Sequence, residues 1–192
     1  MPWKKQFDVD AAREKAKALF WARGYEATSM DDLLRHMGIN RGSFYDTFGS
    51  KQDLYTDVLR RYDQQHRRGV LEKLAKELGP RRRILALFEG VRQEACASKG
   101  SRGCFLANAT LELAASDKSV AKVVREAYLE TEQFFRSTIA EGQSRGEIRA
   151  DIDARASART LLGLLLGMRV LARSAAPRQV LASIATQIKE ML

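Results

Sequence analysis

Apolar residues recur three or four positions apart along nearly the whole chain of 192 residues, which is the spacing of one face of an α-helix. Stretches in which β-branched residues alternate with polar ones, as in a strand, are scarce. The only prolines are Pro2, Pro80 and Pro177, so few positions forbid a helix. With 45% hydrophobic and 30% charged residues, the composition is that of a folded globular protein rather than a disordered chain. We therefore predict an all-α fold.

Three short helical segments, separated by glycine-containing turns, occupy the N-terminal part of the chain. The second begins at Ser29, where the Ser29 hydroxyl and the Asp32 carboxylate are expected to cap each other's backbone N–H groups. Asn40 is a good N-cap for the third segment. Because glycine in a tight turn lets two helices cross steeply, residues 1–50 are predicted to form a three-helix, helix-turn-helix DNA-binding domain. The predicted helices cover residues 9–23, 30–37 and 41–47.

Residues 51–192 are predicted to form a second helical domain, which senses a ligand and forms a dimer. A long helix over residues 51–78 links the two domains and ends at the Gly79–Pro80 break. Further along the chain, Ser119 is expected to cap another long amphipathic helix.

The last two helices are predicted at about residues 153–174 and 177–192. The first of them is apolar nearly all round over residues 161–171, so it needs burial on two sides. One side can face the core of its own subunit and the other an identical subunit. This pattern indicates a homodimer formed through the last two helices.

The net charge of the whole chain suits a nucleic-acid partner, but the positive charge is not concentrated in the predicted DNA-binding part. The net charge is +9 and the pI is near 9.8, as is typical of proteins that bind polyanions. Residues 1–60, however, hold 10 Lys or Arg against 9 Asp or Glu. DNA contact there must depend on where individual side chains lie. A basic arm at Trp3, Lys4 and Lys5 is one candidate for contact with the DNA backbone.

Residues that carry chemistry are too few for catalysis or metal binding. Two cysteines, Cys96 and Cys104, and two histidines, His36 and His66, give neither a disulfide framework nor a metal-ligand cluster. No nucleophile–base pair or phosphate loop is visible, so we predict a protein that is not an enzyme and has no cofactor. The N-terminus lacks an apolar signal and the longest apolar run is too short to span a bilayer, so we expect a cytoplasmic protein without membrane contact.

The stretch ARGYEATSMDDLLRHMGINRGSFYDTFGSKQDLY resembles, almost position by position, the signature of the TetR family of transcriptional regulators. The resemblance covers roughly residues 8–62. The rest agrees in size, helical content and the stretch GCFLANATLELAASD, which is found in some members. The resemblance implies a sequence-specific, homodimeric repressor that a small-molecule effector releases from a double-stranded DNA operator. Activation in place of repression is the alternative.

The resemblance also implies DNA contacts at eight positions. Four of these side chains are expected to touch phosphates, two at the start of the second helix and two later, namely Thr28, Ser29, Tyr45 and Lys51. Three residues are expected to read base edges or thymine methyl groups with a fourth nearby, namely Arg41, Gly42 and Ser43 with Asn40. Phe44 and Phe48 match structural positions of the family.

Asp46 departs from the family pattern, which often has a histidine or another polar residue at this position. An acid beside phosphates repels them unless it points away or pairs with Arg41 or Lys51. A helical interaction module that has lost DNA binding is therefore the alternative hypothesis, which the near-neutral N-terminal part also favours.

The effector itself is not identified by the sequence. A pocket in the second domain could be lined by residues that would otherwise be ordinary core, namely Leu87, Phe88, Val91, Phe105, Asn108, Tyr128 and Phe135. Cys104 stands at a helix start, where the helix dipole favours the thiolate, and Arg102 lies two residues before it. A thiol sensor of electrophiles or oxidants is therefore a second hypothesis. The alternative is that Cys104 packs as a small apolar residue.

Overall fold

The computed structural model describes residues 7–97, 102–174 and 176–192, so the arm predicted at residues 3–5 lies outside the described residues. Within these ranges the chain is helical and has no strand, which confirms the predicted all-α fold. The elements are α1 (Val9–Arg23), α2 (Met30–Met37), α3 (Arg41–Phe48), α4 (Lys51–Tyr62), a π-helical turn (Asp63–Arg68), α5 (Gly69–Glu77), α6 (Pro80–Ala97), α7 (Phe105–Glu112), α8 (Lys118–Ser144), α9 (Ala154–Arg173) and α10 (Arg178–Met191).

Short polar side chains begin the N-terminal helices, as predicted. Asn40 Oδ1 accepts a hydrogen bond from the Ser43 N–H at 2.8 Å, and Ser29 Oγ accepts one from the Asp32 N–H at 3.1 Å. The Ser29 hydroxyl in turn donates to the Asp32 carboxylate at 2.8 Å. This bond is the main reason why the pKa of Asp32 lies below its ordinary value. The starts of α2 and α3 are therefore fixed by the residues next to them in sequence.

The cap predicted at Ser119 is wrong by two residues. The Asp117 carboxylate caps α8, because it accepts hydrogen bonds from the N–H groups of Ser119 and Val120 at 2.7 and 2.9 Å. Ser119 lies in the first turn, where its hydroxyl also donates to Asp117. Both residue types are good N-caps, but a charged acceptor makes the stronger bond at the positive end of a helix.

One buried cluster holds the three N-terminal helices together and extends beyond them. Phe20, Leu33 and Phe44, one from each of α1, α2 and α3, are fully buried in it. The same cluster takes members from α4, α7 and α8, among them Leu54, Leu59, Phe105, Ala109, Val120 and Val124. The helix-turn-helix unit therefore shares one core with α7 and α8, and α4 contacts both of these helices. The domain boundary predicted at residue 50 stays a prediction.

A second cluster forms the core of the C-terminal half. It is built from α5, α6 and α8 to α10, and its fully buried members include Ile84, Phe135, Leu161, Met168 and Ile188. On α9 the inward positions Leu161 and Met168 are seven residues apart, which is two helical turns. This face of α9 is the side that its own subunit buries.

The linking segment predicted as one long helix is helical from residue 51 to residue 77 but is not a uniform α-helix. Its middle, Asp63–Arg68, is a π-helical turn in which the Gly69 N–H donates to the Gln64 carbonyl. The buried Asp63 carboxylate in this turn pairs with the half-buried Arg67, and the Arg67 guanidinium also donates to Glu130 of α8 at 2.6 Å. Such turns are frequent at functional sites, and this one lies against a cavity.

Candidate DNA-recognition surface and effector cavity

Helices α2 and α3 form a helix-turn-helix around a glycine. Gly38 ends α2 in the left-handed conformation, with φ of 75° and ψ of 35°, and its N–H donates to the Leu34 carbonyl. A residue with a side chain is strained in this conformation, so glycine permits the abrupt change of direction. Two residues later Asn40 begins α3, and the chain turns from one helix to the next within three residues.

Helix α3 presents one face to the core and the other to solvent. Phe44 and Phe48 are buried, as predicted, whereas Arg41, Gly42 and Tyr45 are exposed. The Tyr45 side chain is 45% exposed, although its ring packs edge-on against Phe44 at 5.4 Å between ring centroids. The buried aromatic rings therefore hold the helix while its N-terminal half remains accessible to a ligand as large as DNA.

The Arg41 guanidinium pairs with Asp31 of α2 at 2.7 Å. The sequence left open a pairing of Asp46 with Arg41 or Lys51, and the structure instead gives Arg41 a partner on the neighbouring helix. Asp46 is exposed on α3. Because the Arg41–Asp31 pair is solvent-exposed, it holds the side chain only weakly, at about 0–1 kcal/mol. Arg41 can therefore leave Asp31 for a base or phosphate at small cost.

Four of the five remaining expected contact residues are Asn40, Ser43, Ser29 and Lys51. Asn40 uses its side-chain oxygen to cap α3, and Ser43, half-buried in the first turn, supplies the capped N–H. Ser29 is exposed at the start of α2, where helix N–H groups favour an anion. Lys51 is half-buried with Nζ lying 4.0 Å from the centre of the Tyr25 ring, and burial lowers the pKa of this amine.

The phosphate contact expected of Thr28 does not fit its position. Its side chain is fully buried, and its hydroxyl donates to the Gly24 carbonyl at 2.6 Å. A buried hydroxyl that already has a backbone partner has no surface to offer a phosphate. The role of Thr28 is instead structural, since its hydroxyl closes the turn between α1 and α2 next to Ser29, the N-cap of α2.

A cavity of about 260 Å³ lies between the π-helical turn, α6, α8 and α9. Its wall is largely apolar and includes three of the residues expected from the sequence, Leu87, Val91 and Tyr128. The other four expected residues belong elsewhere. Phe88, Phe105 and Phe135 are buried core, and Asn108 donates to the Arg102 carbonyl at 3.0 Å. Several lining residues were not predicted from the sequence, among them Trp21, Tyr62, His66, Leu166 and Arg169.

Cys104 lies in the wall of this cavity as the residue that precedes α7. Its side chain is half-buried, and the Tyr62 hydroxyl lies 3.8 Å from Sγ. Arg169, which also lines the cavity, forms an ion pair with Glu94. Burial raises the pKa of Tyr62 and, to about 12, that of Tyr128, so both phenols stay protonated at neutral pH. Polar groups that a cavity occupant would meet therefore include a thiol, two phenols and the guanidinium groups of Arg67 and Arg169.

Comparison with known proteins identifies the class of this chain. A family model described as "Bacterial regulatory proteins, tetR family" matches residues 12–58, and one described as "Tetracyclin repressor-like, C-terminal domain" matches residues 80–188. The chain belongs to the TetR family. The match to the C-terminal domain model spans most of the C-terminal half, which the signature at residues 8–62 does not cover. The family assignment made from residues 8–62 is confirmed.

Relatives with a similar overall length agree with this assignment. The HTH-type transcriptional repressor ComR of Escherichia coli strain K12 is 30% identical over 182 residues, which cover 94% of this chain and 87% of ComR. The HTH-type transcriptional regulator YezE of Bacillus subtilis strain 168 is 28% identical over 144 residues, covering 75% and 74%. This TetR-family protein is a DNA-binding transcriptional regulator and not an enzyme.

Solved structures show the same fold. A cysteine mutant of the TetR-family regulator CifR, complexed with 26-bp operator DNA, has a TM-score of 0.85 and 28% identity over 98% of both chains. Reduced NemR of E. coli has a TM-score of 0.86 and 18% identity over 95% of both chains. In the part of the chain described here, no helix has the length and apolarity needed to cross a membrane. The same ranges hold no group of three His, Cys, Asp or Glu side chains placed to bind a metal ion.

Proposed function

We propose that this TetR-family regulator is a cytoplasmic, homodimeric repressor that reads a near-palindromic operator with α3 and is released by an effector bound in the cavity. The observation that carries the proposal is the exposed N-terminal half of α3, which is held by buried Phe44 and Phe48. Two relatives support the proposal, since CifR was solved in complex with operator DNA and ComR is a transcriptional repressor.

The proposed contacts at the operator divide into two kinds. Arg41 reads a base edge, while Gly42 lets the backbone approach the major groove and Ser43 contributes a small hydroxyl beside Asn40. Ser29, Tyr45 and Lys51 bind phosphates and set the register of α3 on the duplex. Asp46 lies on the exposed side of the same helix, so it limits how closely this side approaches the phosphates.

The proposed dimer uses the outer faces of α9 and α10. On α9 the side opposite Leu161 and Met168 carries Gly163, Gly167 and Val170, which are exposed in the single subunit. A Cβ atom at Gly163 or Gly167 would meet nothing within 4 Å, so these positions leave room for a second helix to approach closely. A dimer of this kind places two copies of α3 about 34–36 Å apart on the operator.

The operator contacts are tested by Arg41→Ala and Tyr45→Phe. We expect Arg41→Ala to cost about 1–3 kcal/mol on the cognate operator and to relax specificity at one position of each half-site. Tyr45→Phe keeps the packing on Phe44, so it should weaken binding to all sequences by a common factor. The measurement is selection of genomic fragments by the purified protein, followed by salt-dependent titration of the enriched site.

Arg136→Ala is the control for these variants, since it removes the same charge from an exposed position on α8. It should leave the enriched site and its affinity unchanged. If the unaltered protein enriches no site at moderate salt, the repressor proposal is wrong and the helical interaction module that has lost DNA binding takes its place.

The effector is either a reversibly bound small molecule or a reagent that modifies the Cys104 thiol. The Cys104 side chain is reached from the cavity, so an electrophile such as N-ethylmaleimide would add its activated double bond to Sγ without a leaving group. If Cys104 is the sensor, Cys104→Ser should abolish release of the operator by N-ethylmaleimide. Cys96→Ser is the matched control and should leave release intact. Equal release from both variants would eliminate the thiol hypothesis for Cys104.

A further inference from the structure

Helix α7 is attached to the DNA-binding helices at both of its ends. At the first end, Trp21 of α1 donates from Nε1 to the Gly103 carbonyl at 3.0 Å. The Arg102 guanidinium lies over the same indole ring, 4.7 Å from its centre. The residues just before α7 therefore hold the last turn of α1 by a hydrogen bond and a cation–π contact.

At the other end of α7, Glu112 holds the turn between α1 and α2. Glu112 Oε1 accepts a hydrogen bond from the Glu26 N–H at 2.9 Å. Gly24 in the same turn has a φ of 89°, and a Cβ atom there would lie 2.7 Å from Oε1 and 2.9 Å from Oε2. The turn can reach the carboxylate only because position 24 has no side chain and tolerates this backbone conformation.

The turn that Glu112 holds leads directly to the DNA-reading helices. The Gly24 carbonyl accepts the hydroxyl of Thr28 at 2.6 Å, and Thr28 precedes Ser29, the N-cap of α2. An unbroken series of short contacts thus runs from the carboxylate through the turn to the first residue of the helix-turn-helix. A movement of the Glu112 carboxylate must move α2 or break one of these bonds.

The first end of α7 also forms part of the cavity wall. Cys104 and Leu106 line the cavity, as does Trp21 from α1. Eight helical residues form a rod about 12 Å long, so displacement of one end is passed to the other with little loss. Helix α7 therefore has one end at the cavity and the other at the turn before α2.

We infer that Glu112 is a positioning residue for operator recognition, which carries displacement of α7 by a cavity occupant to the α1–α2 turn. The inference rests on the proposed control by an effector. The coupling is assigned to one hydrogen bond, and its acceptor Glu112 neither lines the cavity nor belongs to α3. Without the Glu112 acceptor, the turn no longer follows α7 and the cavity loses much of its influence on α2 and α3.

A built-in occupant can replace the unidentified effector in the test. Gly90 of α6 lines the cavity, and a Cβ atom there would meet nothing within 4 Å, so Gly90→Phe places an aromatic ring in the cavity without a backbone clash. Gly90→Ala is the control, because it adds only the Cβ atom. The experiment compares operator affinities of the unaltered dimer, Gly90→Phe, Glu112→Ala and the double variant.

We expect Gly90→Phe to weaken operator binding about 10-fold or more in the otherwise unaltered protein, within the usual range of allosteric coupling. In the Glu112→Ala background the same substitution should weaken it less than about 3-fold. Glu112→Gln keeps the acceptor oxygen and should restore the full effect, and Glu126→Ala on α8 should not change it. Equal weakening with and without Glu112, or no weakening by Gly90→Phe, would overturn the inference.

Amide hydrogen exchange separates this inference from the proposed repressor function, because it needs no DNA. Gly90→Phe should speed exchange at the Glu26 amide, whereas Glu112→Ala should speed it equally with and without Gly90→Phe. If no operator is found but this exchange pattern holds, the coupling stands and the repressor proposal fails. If neither substitution changes the exchange rate of the Glu26 amide, the coupling is refuted directly.

Discussion

Phe44→Ala should lower the free energy of unfolding by about 3–5 kcal/mol and remove operator binding altogether. The ring is fully buried in the cluster shared by the N-terminal helices, α4, α7 and α8, so its loss leaves a cavity that the surrounding helices can fill only partly. It also removes the support of α3 beside Phe48, whose ring centroid is 5.5 Å away. Urea-induced unfolding, followed by circular dichroism at one fixed protein concentration, measures the loss.

Tyr45→Ala is the control for stability, since this neighbouring aromatic side chain lies on the exposed face of the same helix. It should change the free energy of unfolding by less than about 1 kcal/mol. A loss from Phe44→Ala no larger than the loss from Tyr45→Ala would show that α3 is not held by its inner face.

Gly163→Leu should dissociate the proposed dimer and, with it, reduce operator affinity to that of a single half-site. The open space at this position is expected to be filled by the partner's helix, and an added side chain in a close-packed contact costs about 1–3 kcal/mol. In a two-fold interface both subunits carry the substitution, so the free energy of dimer association loses this amount twice. Sedimentation over a range of protein concentrations measures the shift from dimer to monomer.

Lys73→Leu provides the comparison, because it adds the same side chain to an exposed position on α5 that the proposed interface does not use. It should remain dimeric. Unchanged sedimentation of Gly163→Leu would place the interface on another face of the molecule, while unchanged folding by circular dichroism would confirm that a monomer is still folded.

Helix starts and the helix-turn-helix could be predicted from the sequence because their causes are local. Ser29 and Asn40 cap the helices that follow them through bonds that span three residues. The cap at Ser119 was misplaced because two good capping residues stand two positions apart, and the choice between them depends on charge. The helices could therefore be located from local sequence to within a few residues.

The roles of Thr28 and of the cavity wall could not be predicted, because they depend on packing between distant segments. Thr28 is buried by the turn that Glu112 holds, and these two residues are 84 positions apart. Trp21 belongs to the first helix in sequence but lines a cavity of the C-terminal half. No periodicity within a single helix reports such neighbours. The π-helical turn likewise has no signature in residues 63–68.

That turn determines the rotational phase of the rod that joins the two cores. Tyr62 packs in the N-terminal cluster and Leu71 in the C-terminal one, and in a uniform α-helix nine residues would turn these side chains to opposite sides, about 180° apart. The π-helical turn between them rotates the chain less per residue than an α-helix does. Tyr62 and Leu71 therefore need not point to opposite sides of the rod. A chain one residue shorter here would present its operator-reading helices at an azimuth about 100° away.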